Sequence, residues 1–207
     1  MTEIDNMCIE SSLIAASVVA FTDYKSKLKV LEIGICHGET AKRIKNFLDS
    51  RRIEFDYYGI DSERDRKIDL PFGNIIIGDS SEVYNLLPND FHFILVDGCH
   101  CINHVILDFI HYSEKLLKNG YILFHDTGTR SIYKDDYQGH GPKNSRDFYI
   151  SVKKALSLLR LDERNDFIKV LEGDDEKFDY GGITVYKKIK WLKKIWWTHS
   201  IETYIEC

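Results

Sequence analysis

The sequence lacks the features that place a chain in a membrane or mark it for export. None of its apolar runs approaches the roughly 20 residues that a membrane-spanning helix requires. Its first residues contain no basic region followed by an apolar core. We therefore expect neither a membrane span nor a signal peptide. Internal repeats and low-complexity tracts are also missing.

The sequence also lacks a strong charge of either sign. The formal net charge is -5 over 207 residues, so the chain has no overall attraction to nucleic acid or to an acidic membrane surface. We expect no nucleic-acid partner. Hydrophobic content of 43% and charged content of 29% are typical of a soluble globular protein, and the length suits one domain with a full sheet.

Cysteines are few and not paired in spacing. An odd number favours reduced thiols, and hence a cytoplasmic protein. Cys99 and Cys101, with His100 and His104 beside them, offer soft metal ligands, but they are one residue too close for the usual C-x2-C knuckle of a structural zinc site. No second ligand pair stands elsewhere, so the spacing disfavours zinc. The five cysteines are Cys8, Cys36, Cys99, Cys101 and Cys207.

What the sequence does contain is a strand, a glycine turn and a helix in succession. Residues 29–34 form an apolar run with β-branched members, Gly34 and Gly38 bracket a turn, and residues 40–48 carry helical periodicity. This is the opening unit of a nucleotide- or nucleoside-binding α/β sheet, where glycine lets the backbone approach a ligand. An ordinary βα turn with two glycines is the alternative.

Further strands and helices alternate along the chain. This alternation predicts a doubly wound, mostly parallel α/β sheet. Helices are predicted at 9–21, 40–48, 81–87, 102–117 and 149–161. Strands are predicted at 29–34, 55–61, 74–77, 91–97, 121–126, 167–171 and 182–187.

Acidic residues stand at the ends of the predicted strands. In an open α/β sheet, ligands bind outside the carboxyl ends of the strands. Like charges gathered there repel one another unless they meet a cation or hydrogen-bond donors. Asp61 can accept hydrogen bonds from a ribose diol, and Asp79, with Ser80 beside it, from an adenine amino group. Three of the acids, Asp61, Asp97 and Asp126, end a strand. Asp79 just follows the third strand, and Glu32 lies within the first.

Three segments that contain these acids resemble motifs of the class I S-adenosylmethionine-dependent methyltransferases. They are Leu-Glu-Ile-Gly-Ile-Cys-His-Gly at 31–38, Tyr-Gly-Ile-Asp-Ser at 58–62 and Gly-Asp-Ser-Ser at 78–81. Cys36 stands where the family often has a third glycine. The resemblance implies a Rossmann-like methyltransferase fold of seven strands, the last antiparallel, with S-adenosylmethionine as cofactor. The implied cofactor-binding residues are Glu32, Gly34, Ile35, Gly38, Asp61, Ser62, Asp79, Ser80 and Asp97.

A finer resemblance covers Asp97-Gly98-Cys99-His100 and the segment from Gly120 to Asp126, which ends in His-Asp. These segments are similar to a methyltransferase family in which some members methylate hydroxyls of sugars and antibiotics with magnesium. Asn119-Gly120, which is also expected to stop the helix predicted at 102–117, replaces the usual Gly-Gly. The resemblance implies that Asp97 and Asp126 bind Mg²⁺ and that His100, His125 and Asp126 are catalytic. Whether a metal or a histidine base activates the acceptor stays open.

The leading hypothesis is an O-methyltransferase acting on a hydroxylated small molecule or sugar. A nicotinamide oxidoreductase is disfavoured, since the first turn lacks the full G-x-G-x-x-G pattern. We predict a methyltransferase domain at 1–187 followed by a basic, Trp-rich tail at 188–207. The alternative function is a catalytically silent S-adenosylmethionine-binding or scaffolding subunit that docks a partner through this tail. That tail could equally pack on the body or on a second copy, as in a homo-oligomer. The loop at 128–144, with Tyr133 and Tyr137, is predicted to close over the acceptor.

Overall fold

The computed structural model of the protein describes residues 27–63, 68–128, 152–173 and 182–190. The helix predicted at 9–21, nearly all of the predicted lid at 128–144 and the tail from residue 191 lie outside these ranges.

Seven strands form a single sheet in the order β3-β2-β1-β4-β5-β7-β6. The pairs among β1 to β5 are parallel, whereas β7 runs antiparallel to both β5 and β6. This confirms the predicted doubly wound sheet with an antiparallel last strand. The strands are β1 (Leu28–Ile33), β2 (Phe55–Asp61), β3 (Gly73–Ile77), β4 (Phe91–Val96), β5 (Leu116–His125), β6 (Phe167–Gly173) and β7 (Ile183–Lys188).

Four α-helices are described: α1 (Glu39–Ser50), α2 (Ser80–Val83), α3 (Ile102–Lys115) and α4 (Val152–Leu158). Short 3-10 turns follow α2 at Tyr84–Leu86 and α4 at Leu161–Glu163. Across the described ranges, no helix is both long enough and apolar enough to span a bilayer.

The core has two layers, one on each face of the sheet. Successive residues of a strand point to opposite faces of the sheet. Val30 therefore packs with the apolar side chains of α1 on one face, and Leu31 packs with those of α3 and α4 on the other. Ile44 anchors α1 to its layer, and Phe109 anchors α3 to the other. Burial on both faces explains why the central strands are almost continuously apolar.

The boundary between α3 and β5 differs from the prediction. The helix ends at Lys115 rather than 117, and β5 begins at once with Leu116. Asn119, which was expected to stop the helix, instead adopts a left-handed conformation with φ 70° within β5. The pairing of β5 with β4 shifts register between Phe91 and Phe93, which accommodates this irregularity.

Lys188 is the last residue of β7 and is fully buried. Its Nζ donates hydrogen bonds to the carbonyl oxygens of Ser113 and Leu116, at 2.8 and 2.6 Å. Ser113 is in the last turn of α3, where the helix itself supplies no partner for the carbonyl, and Leu116 is the residue that follows the helix. The side chain therefore ties β7 to α3. The division between a domain at 1–187 and a tail at 188–207 stays a prediction.

Candidate active site at the carboxyl edge of the sheet

The strand register brings the predicted site residues to one edge of the sheet. Ile33 of β1 pairs with Ile60 of β2 and with Val96 of β4, and Val96 pairs with Phe124 of β5. The residues that come directly after these positions therefore lie side by side at the carboxyl ends of four parallel strands. They are Gly34, Asp61, Asp97 and His125.

Gly34 is required by close packing at this edge. Its φ is 89°, and a Cβ there would lie 2.1 Å from the backbone oxygen of Asp97. Gly38 also has a positive φ, 77°, and precedes α1. Cys36 between them adopts φ 53°, a conformation that is costly for a residue with a side chain. This explains why glycine is common at that position in the family that the motif resembles.

Asp61 fastens the glycine turn to the end of β2. Its Oδ2 accepts a hydrogen bond from the backbone N–H of Cys36 at 2.8 Å, and its Oδ1 accepts one from the N–H of Glu63 at 2.9 Å. The residue is only 5% exposed. Each carboxylate oxygen can accept more than one hydrogen bond. Ser62 beside it is exposed.

Glu32 lies in the core beneath the turn, 1% exposed, and accepts a hydrogen bond from the hydroxyl of Tyr57. Burial raises the pKa of Glu32 to about 8, helped by the negative charges of Asp97 and Asp61 and opposed by the Tyr57 hydrogen bond. The carboxyl therefore holds a proton at neutral pH. Ile35, a predicted cofactor-binding residue, has its side chain buried in the core, so its backbone is the part that can face a ligand.

Asp79 caps helix α2 after strand β3. Its Oδ1 accepts hydrogen bonds from the backbone N–H and the hydroxyl of Ser81, at 2.8 and 2.7 Å, while its Oδ2 lies 3.5 Å from Nε2 of His104. Burial alone would raise the pKa of Asp79, but these hydrogen bonds and the charge of His104 lower it. Ser80, the first residue of α2, accepts a hydrogen bond through its carbonyl oxygen from Tyr112 at 2.6 Å.

Two carboxylates and two imidazoles meet beyond β4 and β5. We call Asp97, His100, His125 and Asp126 the Asp–His cluster; one potential ligand atom from each lies within 4.8 Å of the others. Nδ1 of His125 is 2.9 Å from Oδ1 of Asp97 and 3.4 Å from Oδ1 of Asp126. Nε2 of His100 is 3.4 Å from a carboxylate oxygen of each aspartate. All four predicted catalytic or metal-binding residues are thus brought together.

The charges in the Asp–His cluster stabilise one another. Burial alone would lower the pKa of His125. The charge of Asp97, the hydrogen bond to Asp97 and the charge of Asp126 together raise that pKa to about 9. The pKa of His100 is also raised, against the effect of burial, by the hydrogen bond to Asp97 and by both carboxylates. Conversely, burial would raise the pKa of Asp97, but the two imidazoles hold it well below its usual value.

The backbone around Asp126 is held in an unusual conformation. Asp126 has φ 55°, which an aspartate adopts at a cost, and its side chain is buried. Next to it, the N–H of Thr127 donates to the carbonyl oxygen of Gly182 at 3.3 Å, and the hydroxyls of Thr127 and Thr184 are 2.9 Å apart. Strand β7 therefore supports the segment that carries the catalytic candidates.

A second group of potential metal ligands lies close by, which the sequence spacing had disfavoured. Cys99, Cys101 and His104 each place one ligand atom within 4.8 Å of the other two. We call them the Cys–His cluster. His104 was named beside the thiols but was not among the predicted site residues, because Cys99 and Cys101 do not have the spacing of a C-x2-C knuckle.

The family comparison agrees with this geometry. Residues 31–127 match a family model described as a methyltransferase domain. None of the curated proteins matches the sequence.

Many solved structures share the fold. The O-methyltransferase TomG from Streptomyces achromogenes, solved with S-adenosylmethionine, is 13% identical with a TM-score of 0.62, and the match covers 92% of this chain and 82% of that one. The CMeT domain of the citrinin polyketide synthase is 12% identical with a TM-score of 0.61, over 88% of this chain and 52% of that one.

The MycE methyltransferase of the mycinamycin pathway, solved with Mg, S-adenosylhomocysteine and mycinamycin VI, is 18% identical with a TM-score of 0.52. That match covers 82% of this chain and 48% of MycE. The chain thus spans about half the length of MycE and of the citrinin synthase chain. At such identities the likeness establishes the fold and leaves the substrate to be argued from the site.

Proposed function

We propose that residues 31–127, which match a model of a methyltransferase domain, form a class I S-adenosylmethionine-dependent methyltransferase, and that the chain methylates a hydroxyl of a small molecule or sugar with help from a divalent cation. S-adenosylmethionine supplies an electrophilic methyl group on a sulfonium. The observation that carries the proposal is the Asp–His cluster, which stands at the same sheet edge as the glycine turn.

The cofactor would be held by the turn between β1 and α1 and by the acids that follow β2 and β3. Gly34 and Gly38 give the turn its positive φ angles, and the carboxylate of Asp61 at the end of β2 would accept hydrogen bonds from a ribose diol. Asp79 has a partner at each oxygen, Ser81 on one and His104 near the other. An adenine amino group would therefore share an oxygen of Asp79 with one of these partners. Such sharing is within the capacity of a carboxylate.

The donor set of the Asp–His cluster fits a divalent cation. Asp97 and Asp126 provide the oxygen ligands that Mg²⁺ prefers. His100 and His125 add nitrogen, which Mn²⁺ or Zn²⁺ accepts more readily than Mg²⁺ does. That MycE was solved with Mg supports Mg²⁺ as the first cation to test. A cation bound here would lower the barrier to ionising an acceptor hydroxyl.

The pKa of His125, raised to about 9 by the carboxylates, keeps that ring protonated at neutral pH, so it could take the proton that the acceptor hydroxyl loses only after a bound cation has displaced its own. His100 and His125 both lie beside two carboxylates, and a carboxylate stabilises the imidazolium that forms when a histidine accepts a proton. Asp97 and Asp126 therefore have a second role, which is to hold each ring in place and to balance its charge. Transfer to oxygen requires loss of that proton, so the cluster is compatible with a hydroxyl acceptor.

The proposal is tested by incubating the protein with methyl-labelled S-adenosylmethionine and a mixture of hydroxylated acceptors, with and without a chelator. We expect label in a product whose new methyl group is bonded to oxygen, loss of transfer in chelator and recovery when Mg²⁺ is restored. Full activity in metal-free protein would overturn the cation assignment. A new methyl group on carbon would overturn the O-methyltransferase assignment.

A further inference from the structure

The Cys–His cluster lies outside the proposed methyl-transfer machinery and has its own chemistry. Cys99 is in the loop after β4, Cys101 directly precedes α3, and His104 is in the first turn of that helix. Cys101 is buried, and Cys99 and the side chain of His104 are largely shielded from solvent. Two thiols and an imidazole are thus gathered within a short stretch of the chain.

The helix makes this short spacing workable. Residues three apart lie on the same face of a helix, which turns His104 back toward Cys101. Cys99 reaches the same point from the loop, so one ligand atom of each residue falls within 4.8 Å of the other two. Tetrahedral zinc with sulfur and nitrogen ligands places those atoms roughly 3.5–3.8 Å apart, given bond lengths near 2.3 and 2.0 Å. Small side-chain adjustments would close the cluster on an ion.

The carboxylate of Asp79 lies next to the imidazole of His104. Oδ2 of Asp79 lies 3.5 Å from Nε2 of His104. Histidines that bind metals commonly donate their other ring N–H to a carboxylate, which fixes the ring and strengthens the ligand. Asp79 is itself held by the backbone N–H and hydroxyl of Ser81, so it is well placed for this role if Nδ1 binds the ion.

We propose that Cys99, Cys101 and His104 bind one Zn²⁺ ion, with a solvent molecule in the fourth position. Two thiolates and an imidazole select Zn²⁺ over the hard cations that suit the Asp–His cluster. Binding displaces the two thiol protons into solvent. The ion would tie the end of β4 to the start of α3, and the loop between them carries His100. Its role is therefore to hold that catalytic candidate in position.

The test is a titration of chelator-treated full-length protein with Co²⁺, which replaces Zn²⁺ and gives a thiolate-to-cobalt charge-transfer band when cysteine is a ligand. We expect the band to saturate at one equivalent and to disappear when Zn²⁺ is added. Cys99→Ser and Cys101→Ser should each abolish or strongly weaken it. Cys36→Ser is the matched control, since Cys36 is exposed in the glycine turn, and it should keep the band.

Two further variants separate this site from its neighbours. Asp126→Asn, which alters the Asp–His cluster, should leave the thiolate band unchanged, whereas Asp79→Asn should weaken Co²⁺ binding by about 10- to 100-fold. Absence of the band in the unmodified protein would overturn the proposal, and so would its persistence in both Cys99→Ser and Cys101→Ser. Since the band reports thiolate ligation directly, the result does not depend on whether the chain transfers methyl groups.

Discussion

Nδ1 of His125 lies 2.9 Å from Oδ1 of Asp97, although 28 residues separate the two positions along the chain. The contact joins the end of β5 to the end of β4, which are parallel neighbours in the sheet. It also couples the two residues electrically, because each stabilises the charged form of the other. The pair is the centre of the Asp–His cluster on which the proposed chemistry rests.

Replacing Asp97 with asparagine should therefore impair turnover more than cofactor binding. The amide would keep the size of the side chain but would lose the negative charge that balances both imidazoles. It would also replace the carboxylate ligand that a cation prefers. We expect methyl transfer to fall by about 10²- to 10⁴-fold, the range for removing acid–base assistance. The measurement is label transfer from S-adenosylmethionine under saturating cofactor.

The control for this substitution is Asp49→Asn, because Asp49 is an exposed aspartate of α1 paired with Lys45. It should retain the activity of the unmodified protein. If Asp97→Asn transferred methyl groups as fast as this control, the Asp–His cluster would have no part in catalysis.

Gly34→Ala should destabilise the fold. The added Cβ would meet the backbone of Asp97 and Gly98, which cannot move as a flexible side chain can, and φ 89° disfavours alanine in any case. We expect a loss of at least about 3 kcal/mol in the free energy of unfolding, measured by chemical denaturation.

Gly173→Ala is the matched control, since a Cβ at that position meets nothing within 4 Å. Its stability should stay within about 0.5 kcal/mol of the unmodified protein. Equal stability of the two alanine variants would show that the turn and the end of β4 are not packed as described.

The buried carboxyl of Glu32 should make stability depend on pH. Its pKa is raised from 4.5 in an ordinary setting to about 8 in the fold. Between these values the folded protein keeps a proton that the unfolded chain has lost, so the contribution of Glu32 to stability is present below pH 4.5 and is lost as pH rises toward 8. The expected slope is about 1.4 kcal/mol per pH unit.

Glu32→Gln removes this titration while keeping an oxygen for the hydroxyl of Tyr57. The difference in unfolding free energy between Glu32→Gln and the unmodified protein should therefore grow in favour of the variant from about pH 5 to about pH 8. Glu39→Gln alters an exposed residue of α1 and should follow the unmodified protein throughout. A constant difference between Glu32→Gln and the unmodified protein would contradict the raised pKa.

The strands and the Asp–His cluster could be anticipated from sequence because both follow simple rules. Buried parallel strands leave apolar runs, and parallel strands bring the residues at their carboxyl ends together, which is why Asp97 and Asp126 could be grouped. The start of β5 was predicted wrongly because Asn119-Gly120 usually ends a helix. Here Leu116 already pairs with Phe91 of β4, and the positive φ of Asn119 lies within the strand, at a shift in register.

Two features were not anticipated from the sequence, each for a different reason. Lysine is seldom fully buried, so nothing at Lys188 indicated that its ammonium group would satisfy the carbonyls at the end of α3. The start of α3 at Ile102 agrees with the prediction, but the two cysteines were compared only with a C-x2-C knuckle, so the approach of His104 to Cys99 and Cys101 was not anticipated.

The proposed cofactor site is tested most directly by calorimetric titration with S-adenosylhomocysteine of the unmodified protein, Asp61→Ala and Asp56→Ala. The two aspartates lie at opposite ends of β2, and Asp56 pairs with Lys27 at the surface. We predict one site in the unmodified protein, unchanged affinity in Asp56→Ala, and a loss of about 1–3 kcal/mol in Asp61→Ala. Absence of binding to the unmodified protein, or undiminished binding to Asp61→Ala, would contradict the account.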